Sequence, residues 1–103
     1  MGDPMKIRAA TVGDETEVKI LMSHEMETGQ RKDAKGQVIP AWFIRNVSVF
    51  WKEKTVMSAQ WGTAVSKNPF VSFRFKGGAK GDRVTVTWVD NRGDKRTDET
   101  AIS

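Results

Sequence analysis

FIRNVSVFW, residues 43–51, sets Val47, Val49 and Trp51 at every second position, with Ser48 and Phe50 between them. A period of two built from β-branched and aromatic residues belongs to a half-buried strand, because successive side chains leave the backbone on opposite faces. The same beat recurs outward in both directions. Upstream, residues 17–22 carry Val18, Ile20 and Met22 on one face, and residues 6–9 can hold a first strand. Downstream come Met57, Ala59 and Trp61, then Val71, Phe73 and Phe75, then Val84, Val86 and Trp88, with residues 95–102 closing the set. Lys52-Glu53, Asn68-Pro69, Gly77-Gly78, Gly81-Asp82 and Asn91-Arg92-Gly93-Asp94 supply turn chemistry between them. No stretch sustains helical spacing, and residues 63–67 have room for a single helical turn at most. About seven short strands predict an all-β chain folded as one immunoglobulin-like β-sandwich. The domain is expected over residues 6–103. Residues 1–5, where Met1-Gly2-Asp3-Pro4 precede a second methionine, are set aside as a disordered or vector-derived remnant.

Composition narrows the function classes. In 103 residues the hydrophobic fraction is 38%, with four Trp and five Phe, enough for one modest core and against disorder. No apolar run approaches the roughly 18 residues of a membrane-spanning helix, so no membrane role is expected. No basic–apolar–small pattern opens the chain, so no secretory signal of its own is read. The absence of cysteine excludes disulfides, thiolate metal sites and cysteine nucleophiles. The net charge of +4 is uneven: seven basic residues face seven acidic ones through Trp51, and ten face six from Lys52 onward. A basic half suits an anionic ligand or an acidic protein partner. Nucleic acid is not expected. In Phe73-Arg74-Phe75-Lys76 the two aromatics share the core face of a strand, and no second stacking platform accompanies them.

One segment breaks the strand rhythm. Residues 23–40, SHEMETGQRKDAKGQVIP, are polar, charged and small, and a loop this long in a compact sandwich tends to be functional or disordered. His24, the only histidine, lacks the partners that acid–base chemistry or a metal site requires, and is expected to bond backbone or touch a partner. Met22, His24, Met26 and Met57 resemble a copper set in type, but Met22 ends a strand and is expected to point inward; no metal or other cofactor is expected. Glu25, Glu27 and Asp33 form no recognisable catalytic pair, and no enzymatic activity is expected. Residues 77–82, GGAKGD, lack the spacing and following helix of a phosphate loop. Arg92-Gly93-Asp94 fits a turn, and the Asn46-Val47-Ser48 sequon falls inside a strand. Adjacent residues on a strand face opposite ways, so Trp42 beside Phe43, and Phe50 beside Trp51, predict an aromatic outside the core, as at a protein interface.

The loop and its flanks resemble the SoxZ family. Glu17-Val18-Lys19 leads into Ser23-His24 and Met26-Glu27-Thr28-Gly29-Gln30-Arg31, then Asp33, Gly36 and Ile39-Pro40. Asn68-Pro69-Phe70-Val71-Ser72-Phe73 and Thr87-Trp88-Val89-Asp90 match later family segments, so the resemblance spans residues 6–102. Glu25 stands where the family has proline, and Trp42-Phe43 make the strand entry more aromatic than the family pattern.

The resemblance implies the non-catalytic half of the SoxYZ carrier of thiosulfate oxidation. SoxY, its heterodimer partner, bears the covalent sulfur intermediates on a C-terminal cysteine arm visited transiently by other Sox enzymes. It also implies a periplasmic protein exported with a signal-bearing SoxY. The partner-binding set expected on that basis is Met22, His24, Met26, Glu27, Thr28, Gln30, Arg31, Ile39, Trp42 and Phe43. Outward aromatics would favour a homodimer in isolation. A stand-alone immunoglobulin-like adaptor is the alternative.

Overall fold

A computed structural model describes residues 3–103, leaving the first two residues of the expected N-terminal remnant outside the described part. Seven strands run in order: β1 (Lys6–Val12), β2 (Glu15–Leu21), β3 (Ile44–Trp51), β4 (Lys54–Gln60), β5 (Phe70–Lys76), β6 (Arg83–Asp90) and β7 (Lys95–Ala101). They form two antiparallel sheets, β1-β2-β5 and β4-β3-β6-β7. All seven expected strands are present as an immunoglobulin-like sandwich, with ends moved by up to three residues. Residues 63–67 form turns, and no helix occurs among the described residues.

The period of two becomes the core directly. Val18, Ile20, Val47, Val49, Val84 and Val86 have no measurable exposure, and Trp88 is 1% exposed. Burying each such side chain stabilises the fold by about 1.5–3 kcal/mol before entropy is subtracted. Lys52 and Glu53 turn β3 into β4 with φ of 49° and 64°, the two-residue turn whose twist suits a hairpin. In that hairpin Val49 faces Met57 while Phe50 faces Thr55, so Val56 is an extra bulge residue. Thr11 N–H donates to the Ser103 carbonyl and Ser103 N–H to the Ala9 carbonyl, tying the C-terminus to the β1 edge. Met5 belongs to the packed structure: it is 7% exposed, and its N–H donates to Asp98 at 2.9 Å. Arg96 also grips Asp98, at 2.8 and 2.9 Å, and holds that carboxyl below its ordinary range.

The two ends of the sandwich differ. At the end carrying the β3–β4 turn, Trp51 packs on Phe75 with ring centroids 5.2 Å apart and donates to Asp82 at 3.0 Å. That bond, with Ala79 N–H and Lys52 beside it, keeps the Asp82 carboxyl below its ordinary range. At the other end, the chain between β2 and β3 leaves the sandwich as an arm. Glu27 pairs with Trp42 and Lys32 with Val38, both antiparallel, and residues 31–38 are all exposed. Seven-residue strands span about 24 Å, and an extended excursion from residue 27 to 35 adds roughly as much. Together they account for a molecule 53 Å long and 21 × 20 Å across.

Candidate functional site

Where β2 ends, the chain does not turn back but runs on into the arm, bonded to the segment just before β5. Met22 N–H donates to the Pro69 carbonyl at 2.9 Å, and the Met22 side chain is 1% exposed. His24 N–H donates to the Asn68 side-chain oxygen at 3.1 Å while Asn68 N–H returns a bond to the His24 carbonyl at 2.9 Å. Asn68 adopts φ of 52°, a left-handed conformation that asparagine tolerates better than most residues. Met26 also has φ of 51°, which aims its N–H back at His24 Nδ1, 3.1 Å away. Its Sδ meanwhile accepts from Ile44 N–H at 3.3 Å.

Those bonds determine the imidazole tautomer. Nδ1 accepts from Met26, so Nε2 carries the proton and donates to Asp90 Oδ2 at 3.2 Å. Asp90, at the end of β6, is 2% exposed. The same Oδ2 accepts the Trp42 indole N–H at 2.7 Å, and Oδ1 accepts the backbone N–H groups of Arg92 and Asp94, both at 2.9 Å. Burial pushes the Asp90 carboxyl up, but the donors Trp42, His24, Asp94 and Arg92 outweigh it, so the group lies below its ordinary value and is ionised. Aromatic contacts close the cluster. His24 meets the Trp42 and Trp88 rings edge-on at 5.0 and 5.2 Å, and the Arg92 guanidinium lies 4.3 Å from the Trp42 ring centre. Trp88 Nε1 is buried with no hydrogen-bond partner among the described residues.

This His–Asp pair has the geometry of a structural latch. Both imidazole nitrogens are engaged within the protein and the side chain is 1% exposed, so no ring nitrogen is left for a reacting group. A cleft of about 390 Å³ beside it is lined by Ser23, His24, Trp42, Lys67, Asn68 and Trp88 among others. No group of three or more His, Cys, Asp or Glu side chains suited to a metal occurs among the described residues. The latch joins the start of the arm (His24), its return (Trp42) and the β6–β7 turn (Asp90, Arg92), which are distant in sequence.

The ten side chains expected to bind a partner separate into three groups. Met22, His24 and Met26 are buried and anchor the arm from within, presenting almost no surface. Glu27, Ile39, Trp42 and Phe43 are half-buried. Phe43 packs against the core, and its N–H donates to the Asn91 side chain at 2.8 Å. Thr28, Gln30 and Arg31 are exposed, with Arg31 held to Glu27 by bonds of 3.1 and 2.6 Å. Trp42, Phe43, Phe50 and Trp51 are all half-buried. The exposed large apolar residues are instead Val12, Leu21, Val38 and Phe70, with Leu21 and Phe70 opposite each other across β2 and β5. Sequence reading passed over Asp90 as a site residue, although an aspartate two residues before a turn N–H is an Asx-turn signal. Its pairing with His24, 66 positions away, leaves no local trace.

Fold and site together define an immunoglobulin-like β-sandwich domain with a projecting arm whose foot is held by a buried His–Asp pair and a half-buried Trp. The family model described as "Sulphur oxidation protein SoxZ" matches residues 5–101. The chain belongs to the SoxZ family and is a subunit of a sulfur-oxidation (Sox) system. No curated protein sequence matches it. Among solved structures, it is similar to a superoxide reductase in the oxidised state, with a TM-score of 0.62 and 14% identity over 96% of this chain and 86% of that one. It is likewise similar to a superoxide reductase (neelaredoxin) from Archaeoglobus fulgidus, with a TM-score of 0.60 and 16% identity over 99% and 87%. At these identities the likeness concerns the sandwich fold alone.

Proposed function

We propose that this chain is the non-catalytic subunit of a SoxYZ carrier in thiosulfate oxidation. In this reading it pairs with SoxY, whose C-terminal cysteine holds sulfur intermediates covalently while other Sox enzymes act on them in turn. The family match over residues 5–101 carries the reading. The chemistry of the chain agrees with it: without a cysteine it cannot hold sulfur as a persulfide or thiosulfonate, so the thiol must come from another chain. The imidazole of His24, engaged at both nitrogens, is shaped to hold the arm in place and not to move protons. The pair would work in the periplasm, reaching it with a signal-bearing SoxY.

Co-purification with the candidate SoxY, read by mass spectrometry of the intact complex, tests the proposal. A one-to-one heterodimer with sulfur adducts confined to the partner's cysteine supports it. A chain that stays alone or pairs only with itself overturns it in favour of a stand-alone adaptor.

A further inference from the structure

We infer that the tip of the arm is a preformed docking prong, and that its occupant is a protein surface offering a small apolar seat bordered by carboxylates. On the function proposed above, on which this inference rests, that surface belongs to SoxY.

The tip is ordered by its own bonds. Asp33 spends one carboxylate oxygen on the N–H groups of Lys35 and Gln37, at 2.9 and 3.0 Å, and its carbonyl accepts from Gly36 N–H at 3.0 Å. Ile39 N–H donates to the Arg31 carbonyl at 2.7 Å, and Asp33 N–H to the Gln37 carbonyl at 2.8 Å. Below the tip, the Glu27–Arg31 pair and the Glu27–Trp42 backbone bonds of 2.6 and 3.0 Å stiffen the stem, and the Asp90 latch holds its foot. A segment ordered before it binds loses less conformational entropy on docking than a free loop would. No core packing requires nine consecutive exposed residues to stand away from the sandwich, yet the chain spends a turn, an ion pair and a buried carboxylate on holding them there.

The tip also has a definite chemistry. Lys32 and Val38 are paired positions, so their side chains leave the same face of the arm. Val38 is 55% exposed, a branched apolar group beside a lysine stem. Neither Lys32 nor Lys35 lies within ion-pair distance of a carboxylate among the described residues, whereas Arg31 is neutralised by Glu27 and Asp33 is turned into the backbone. One free ammonium beside an apolar methyl pair, with a second on the turn three residues away in sequence, complements an apolar hollow bordered by acidic side chains.

Reversal of charge at the tip tests this without touching the latch or the core. Purified SoxY is titrated with the intact chain, with K32E/K35E, with Val38→Asp, and with K54E/K80E, which reverses two exposed lysines at the opposite end. Each variant is expected to melt with the wild-type chain. Both tip changes should weaken SoxY binding at least tenfold, K54E/K80E should bind as wild type does, and added salt should weaken the wild type more than K32E/K35E. Wild-type binding by the tip variants overturns the inference and leaves the proposed function standing. Equal weakening by K54E/K80E also overturns it, since the effect would then be one of net charge. Failure of the unaltered chain to bind SoxY overturns both.

Discussion

Asp90→Ala is the sharpest probe of the latch. It removes the acceptor of four hydrogen bonds: His24 Nε2, Trp42 Nε1 and the N–H groups of Arg92 and Asp94. Residues 91–93 are exposed, so water can replace part of what the turn loses. The His24 side chain is 1% exposed, so its freed donor finds no such substitute. A hydrogen bond to a charged group contributes about 1.5–3 kcal/mol, and stranding a buried donor forfeits its full desolvation cost. With Trp42 only half-buried, the expected loss is about 3–5 kcal/mol, a large part of the roughly 5–15 kcal/mol of a typical domain. Urea denaturation followed by tryptophan fluorescence measures it, with the m-value confirming that the same surface is exposed. Asp90→Asn keeps a neutral acceptor and should fall between. The pH dependence gives an independent check. Because the folded Asp90 carboxyl lies below its unfolded value, its stabilisation is present in full above the unfolded value near 4 and fades as pH falls through the folded one. The gap between wild type and Asp90→Ala should therefore be largest near neutrality and shrink in acid. A loss under about 1 kcal/mol, or a gap that ignores pH, refutes the account of a charged buried acceptor.

Trp42→Phe removes one latch bond but keeps an aromatic ring, so trypsin should cut at Lys32 and Lys35 faster than in wild type while the sandwich core stays protected from hydrogen exchange. Met26→Ala leaves the left-handed backbone but empties a side chain that is 5% exposed, and should cost about 2–4 kcal/mol in urea titration. Gly78→Ala should destabilise far more than Gly81→Ala in thermal melts. Both residues have φ above 90°, but a Cβ at Gly78 would overlap the buried Thr16 Oγ1, whereas one at Gly81 meets nothing within 4 Å.

The alternation at Val47–Trp51, Val18–Met22 and Val84–Trp88 points to the sandwich once no stretch shows helical spacing, because an apolar sheet face then has only another sheet face to bury it. Turn residues determined where those strands stop, and the absence of cysteine is a chemical fact needing no structure. The motif around Ser23–Arg31 was enough to indicate the family. Tertiary structure alone decided which atoms the side chains of that motif bond. His24 reads as a loop residue, yet its ring bonds run to Met26, two positions away, and Asp90, 66 positions away, and only the tertiary fold brings the end of β6 beside the segment that follows β2. Of Trp42 and Phe43, alternation places one aromatic outside the core, and Phe43 is the one that packs against it. What alternation does not give is that Trp42 is bonded through its indole to Asp90 and lies under Arg92, so both aromatics end up half-buried. Local pattern sets which side of a strand is apolar, whereas the partner of a polar atom depends on which distant segment closes over it.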